Sequence, residues 1–174
     1  MDNENKKKLV ALGFSVTLTA AILAYNPAAS VQQAIGNWGY LGVFLVMLLS
    51  NATIVFPAPG LLTVFSAAGA YNPLLVGIAG GLGSGLGEVT GYLAGYGATT
   101  FFKEDKRYKR IVSWMKRNGF LTIFFLAAIP NPLFDIAGLS AGSLKYDWRK
   151  FVLACVAGNI IKAVAVAFLG YSLI

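Results

Sequence analysis

The chain has 174 residues, 57% of them hydrophobic and only 12% charged, which is one domain's worth of sequence and too apolar for a soluble globule of that size. The net charge of +7 sits in short flanks of apolar runs (Lys6 to Lys8, Lys103 to Arg117, Lys145 to Lys150), so it reads as membrane orientation and not as a nucleic-acid surface. One cysteine, Cys155, and no histidine exclude an internal disulfide and leave few soft metal ligands, so no cofactor or metal is expected.

Between Lys8 and Lys103 the only ionisable acid or base is Glu88, which leaves room for several membrane spans. Leu9 to Tyr25 is an apolar run behind three lysines and is expected as a retained N-terminal transmembrane helix, although Asn26 to Ser30 (NPAAS) loosely resembles a signal-peptidase site. Asn26 to Tyr40 is polar and uncharged, and reads as an external connection with Trp38 at the interface.

Leu41 to Ala70 is apolar but interrupted by FPAPG at Phe56 to Gly60, and prolines there rule out one continuous helix. The piece after the break, Leu61 to Ala70, spans only about 15 Å at 1.5 Å per residue, half a bilayer. Pro73 to Ala98 is long enough to span, with glycines on spacings that let other backbones approach closely. Phe101 to Asn118 is basic with interleaved aromatic and apolar residues, as in an amphipathic surface helix or a solvated connector. Gly119 to Ser143 repeats the earlier event around PNP at Pro130 to Pro132, and Trp148 to Ile174 is a final spanning helix carrying Lys162.

The two broken segments align. PAPGLLTVFSAAG (Pro57 to Gly69) and PNPLFDIAGLSAG (Pro130 to Gly142) share a Pro-x-Pro start and a glycine at the same distance after it. GYLGVF from Gly39 matches GFLTIF from Gly119, and both halves end on Gly-Tyr, at Gly95 and Gly170. This is an imperfect internal repeat. If each broken segment re-enters and returns to its own side, every basic residue except Lys162 faces the cytoplasm, whereas full crossings would split the N-terminal lysines from the Lys103 to Arg117 block. The re-entrant topology makes the repeats inverted, an arrangement characteristic of secondary transporters.

The expected fold is therefore all-α: one polytopic membrane domain over residues 1–174, with an N-terminal helix and external loop (1–38), repeat 1 (39–98), a cytoplasmic amphipathic linker (99–118) and repeat 2 (119–174). Each repeat is a re-entrant hairpin plus a transmembrane helix. The N-terminus and the 99–118 loop are expected in the cytoplasm and the C-terminus outside, in a multi-pass protein of the cell membrane.

Three ionisable groups fall inside apolar segments. Glu88 lies deep in the Gly-rich span, where an acid is retained for a proton, a substrate or a structural hydrogen bond. Asp135 falls in the first turn after Pro132 and either stabilises a helix N-terminus or joins the same site. Lys162 lies midway along the last helix and is expected to pair with Glu88 or Asp135, the alternative being snorkelling. The hairpin tips, Pro57, Pro59 and Gly60 in the first and Pro130, Asn131 and Pro132 in the second, free backbone groups that membrane depth tolerates only inside protein or beside a cavity. Asn51, Asn131 and Asn159 either line that cavity or make ordinary interhelical hydrogen bonds.

From about Gly39 to Tyr171 the chain resembles the DedA superfamily, also known as the SNARE-associated Golgi protein or VTT-domain family. Pro59-Gly60, Ala68-Gly69 and Gly87-Glu88 with Tyr92 and Gly95 sit where that family's motifs recur. The resemblance implies lipid translocation, with polyprenyl phosphate or phospholipid as the membrane partner, and gives Glu88 the family's acidic position. The chain departs from the family's charged residues at Tyr96, at Leu61, and at Ala127 with the NPLF segment, so phosphate recognition by those arginines is not carried over.

The expected function is a membrane transporter that moves a lipid, coupled to protons through Glu88, Asp135 and Lys162. The competing readings are a proton- or cation-coupled exporter of small cationic solutes and a non-transporting membrane scaffold. No catalytic residue is assigned, since lipid hydrolases usually depend on histidine. No nucleic acid is expected, and a homo-oligomer is left open.

Overall fold

The computed structural model describes residues 38–52, 60–97, 106–131 and 133–174, and all its regular structure among these is helical. The expected N-terminal helix, most of the external loop, and Pro57, Pro59 and Pro132 lie outside the described residues.

Helix α1 runs Gly39–Ala52 and is apolar on every side. Its buried face is Gly42, Val43 and Met47, while Leu41, Leu45 and Leu49, each four residues apart, are exposed. A stripe of leucines facing outward has no solvent but lipid to suit it. Helix α2, Gly60–Ala67, is 8 residues long, or about 12 Å. Gly60 abuts Met47 and Ser50 at the end of α1, and Val64 shares a core cluster with Val43, so the chain has reversed direction between the two helices.

Helix α3, Pro73–Gly87, starts where Asn72 Oδ1 accepts the amides of Leu74 (3.0 Å) and Leu75 (3.3 Å), with Pro73 preset for the first helical position. Glu88 stands at the end of this helix and α4, Val89–Gly97, continues it. Backbone bonds from Glu88 to Ser84 (3.1 Å) and from Tyr92 to Glu88 (3.2 Å) carry the chain across the junction. Together they make a 25-residue apolar stretch, Pro73–Gly97, long enough to span a membrane.

Helix α5, Lys106–Ala128, joins the basic linker to the leading half of the second broken segment, with one kink at Asn118 (φ −154°, ψ 88°). Asn118 restarts the helix as its own cap: Oδ1 accepts from the Leu121 amide at 3.2 Å and its carbonyl accepts from Thr122 Oγ1 at 2.8 Å. Asn118 thus separates two helical segments, one over the linker and one over the segment after it. Helix α6, Phe134–Ser143, ends in a left-handed Lys145 (φ 52°), with the Tyr146 amide on the Ala141 carbonyl and the Lys145 amide on that of Gly142. This is a Schellman stop. Asp147 then caps α7, Trp148–Leu173, by accepting from Arg149 (2.9 Å) and Lys150 (3.1 Å). At 26 residues α7 is the second helix long and apolar enough to cross.

Glycine sets the helix order. A side chain at Gly77, Gly81 or Gly85 would strike the backbone of Val164, Ile160 or Val156, so α3 and α7 are antiparallel and in backbone contact. On another face of α3, Gly83 and Gly87 lie against the carbonyls of Phe44 and Leu48, which makes α1 and α3 parallel. Gly158 of α7 lies against the Phe124 carbonyl, Gly170 against that of Phe65, Gly95 against that of Leu139 and Gly142 against that of Tyr92. The buried apolar residues form two clusters, and α7 passes through both: Phe151, Ala154 and Cys155 belong to one, Ala163 and Ala167 to the other.

Candidate functional site

The boundary between α3 and α4 falls at Glu88, the acid of that span, which keeps helical dihedrals and both helical backbone bonds. Glu88 exposes only 8% of its surface. One turn before it is the buried Ser84 and one turn after it the buried Tyr92, so the three lie along one helix face. Tyr92 Oη donates to the Tyr146 carbonyl at 2.7 Å, and its ring packs on Phe151 at 5.0 Å. Ser84 Oγ receives Asn51 Nδ2 at 3.2 Å, and the same amide donates to the Met47 carbonyl at 2.9 Å. Asn51 therefore ties the end of α1, just before the first break, to the turn of α3 that leads into Glu88.

Lys162 stands on α7 and Asp135 in the first turn of α6. All three groups feel one another's charge: the Glu88 carboxylate interacts first with Lys162 and then with Asp135, and Lys162 first with Glu88. The structure therefore brings together the three ionisable residues singled out from sequence. The expected direct ion pair is not formed. Among the described residues no salt bridge joins Glu88, Asp135 and Lys162, and they act on each other through space. The reason is geometric: the glycine contacts pair Gly85 with Val156 and Gly81 with Ile160, which sets Lys162 more than two turns along the helix pair from Glu88, an offset the two side chains do not close.

Asp135 stands in the first turn of α6, where a carboxylate favours the helix N-terminus, yet it makes no side-chain cap and Leu133 occupies the capping position. Asn131 organises the turn instead. Its Nδ2 donates to the carbonyls of Leu126 (2.8 Å) and Ile129 (2.7 Å), and its Oδ1 accepts from the Leu133 amide (3.0 Å). Pro130 precedes it, exposed. Asn159, fully buried one turn before Lys162, donates to the Cys155 carbonyl at 3.0 Å and leaves Oδ1 without a partner among the described residues. Of the three asparagines, Asn51 and Asn159 lie within a turn of the charged junction and Asn131 serves the second break.

Sequence reasoning passes over Ser84, names Tyr92 only as a position of the family's motif, and gives Cys155 no role at the site. The first two sit four residues either side of Glu88, a spacing that could have flagged them. Cys155 was expected as packing. It is packed among apolar residues and also feels the charges of Glu88 and Lys162. Among the described residues no group of acids and cysteine has the spacing to hold a metal ion. The arrangement offers one lysine and two acids that feel one another's charge beside a membrane-length helix.

A family model for the VTT domain matches residues 56–172, two thirds of the chain. Among curated proteins, the vacuole membrane protein KMS2 of Arabidopsis thaliana is 40% identical over 60 residues, covering 32% of this chain and 14% of that protein. The uncharacterised membrane protein YhjE of Bacillus subtilis is 26% identical over 73 residues, 42% of this chain and 35% of YhjE. The Arabidopsis thaliana protein KMS1, also a vacuole membrane protein, is 36% identical over 56 residues, 30% of this chain and 14% of KMS1. The matched regions thus span about a third or less of these relatives' lengths. No solved structure matches.

Proposed function

This chain belongs to the VTT-domain family of membrane proteins, and we propose that it translocates a lipid, a polyprenyl phosphate or a phospholipid, across the bilayer in a step linked to protonation at the Glu88 junction. The observation that carries this reading is that Glu88, Asp135 and Lys162, from three helices of a membrane domain, lie near enough to act on one another's charge. Ionisable groups are retained at membrane depth when a pathway or a proton relay needs them. A lipid suits the site because its headgroup can use such a polar cluster while its tails stay in the bilayer. No bond-breaking chemistry is assigned to the cluster.

The inverted-repeat architecture is part of the proposal, and reciprocal contacts support it. Gly83 lies on Phe44 in the first half, and Gly158 lies on the equivalent Phe124 in the second. Helices α1 and α3 are parallel and α3 and α7 antiparallel. Gly119 beside Tyr146 and Phe124 beside Gly158 make the second half of α5 parallel to α7. The two equivalent leading helices therefore run in opposite directions, as an inverted pair must. Each half also gives its last turns to the other, Gly95 to α6 and Gly170 to α2. On this reading the N-terminus and the 99–118 loop are cytoplasmic and the C-terminus external.

The excess of acid over base at the junction favours a second reading, a coupled exporter of small cations. Vesicles reconstituted with the full chain separate the two. We expect flip of fluorescent phosphatidylglycerol or polyprenyl phosphate with no protein-dependent uptake of a quaternary ammonium probe. Uptake of that probe with no lipid flip reverses the assignment.

A further inference from the structure

A second site lies away from the junction, on the linker half of α5. A pocket of about 190 Å³ is lined by Lys106, Arg107, Arg110, Ile111, Trp114 and Leu133. Lys106, Arg110 and Trp114 follow each other at four-residue spacing, so they form one stripe along the helix. Like charges at that spacing repel, and an anion between them reverses the penalty. No acid is among the described residues that line the pocket. In sequence Glu104 and Asp105 precede Lys106, and Asp135, two residues past Leu133, interacts with Glu88 and Lys162.

The other half of the lining is apolar. Ile111 is buried, Leu133 half-buried, and Trp114 exposes 42% of its surface. A free inorganic anion has no use for that wall. An anionic amphiphile has, because its phosphate meets the arginine fork and the lysine while its glycerol and first methylenes lie on Trp114, Ile111 and Leu133.

We propose that this pocket is a fixed site for the phosphodiester headgroup of an anionic phospholipid from the adjoining leaflet, held by Lys106 and Arg110 and separate from the path through the Glu88 junction. The lipid clamps the linker half of α5 against the start of α6. This proposal goes beyond the translocase reading and does not depend on it.

The chain has three tryptophans, Trp38, Trp114 and Trp148, so W38F/W148F leaves Trp114 as the sole reporter. The full chain in neutral detergent, titrated with dihexanoyl phosphatidylglycerol, dihexanoyl phosphatidylcholine or inorganic phosphate, reads the site through Trp114 emission. Phosphatidylglycerol should bind roughly tenfold or more tightly than phosphatidylcholine, and K106Q/R110Q should erase that preference. The control K116Q/R117Q, outside the pocket, should keep it, and so should E88Q. Equal affinity for the two lipids, or inorganic phosphate competing as well as the lipid, overturns the proposal. Loss of binding in E88Q overturns the separateness of the two sites. Should K106Q/R110Q fail to fold, acyl-brominated lipids on the otherwise unaltered reporter decide: stronger quenching of Trp114 by phosphatidylglycerol than by phosphatidylcholine supports the site, and equal quenching removes it.

Discussion

Asn131 makes three hydrogen bonds, two as donor to the carbonyls of Leu126 and Ile129 and one as acceptor from the Leu133 amide. A break in a helix at membrane depth frees backbone groups that lipid cannot satisfy, and this one side chain answers for several of them. Asn131→Ala should therefore destabilise the protein by about 1–3 kcal/mol, read as a lower melting temperature in detergent, while Asn131→Asp should recover part of it through the retained acceptor. Asn51 has no such monopoly, since its amide bridges Met47 and Ser84. At Glu88 the side chain meets its partners by charge across space and not by contact, which leaves the carboxylate available for exchange.

At the scale of elements, helix contact is set by where side chains are missing. Gly77, Gly81 and Gly85 put the backbones of α3 and α7 in contact, and a Cβ at Gly81 would collide with the backbone of Ile160. Gly91, on α4, has nothing within 4 Å of such an atom. Gly81→Ala should cost about 1–3 kcal/mol by overpacking, whereas Gly91→Ala should leave stability unchanged or raise it by up to about 1 kcal/mol through helix propensity. Thermal unfolding of the two variants side by side checks the register.

These elements differ in how far the sequence foretells them. The breaks around FPAPG and PNP are legible because proline removes a donor, whatever the surroundings. The stop before α7 is legible from Asp147 and the turn ahead of it. The boundary at Glu88 is not, because glycine and leucine run evenly across it and Glu88 itself keeps helical dihedrals and both helical backbone bonds. The kink at Asn118 falls where the linker is expected to end, while the sharing of one core cluster by Ile111 and Met115 before it with Ile123 and Ala127 after it is not legible. Composition alone carries no such information. Likewise the trio of Glu88, Asp135 and Lys162 was legible as three charges in apolar segments, while the gap between them required the glycine-set register.

The whole molecule is organised around α7, which passes through both core clusters and carries Lys162, which feels the charge of Glu88. Each half of the chain completes its packing with the last turns of the other, at Gly95 on α6 and Gly170 on α2. The charge partners of Glu88 lie on α6 and α7, in the other half, while its own helix packs on both α1 and α7. The most direct test is lipid flip in vesicles reconstituted with the full chain or with Glu88→Gln, at matched protein content and helical circular dichroism. The variant should flip labelled lipid roughly tenfold more slowly, equivalent to about 1.4 kcal/mol of barrier, and should lose any dependence on an imposed pH gradient. Flip by Glu88→Gln at the unaltered rate, with the gradient dependence intact, would contradict a proton-linked role for the junction.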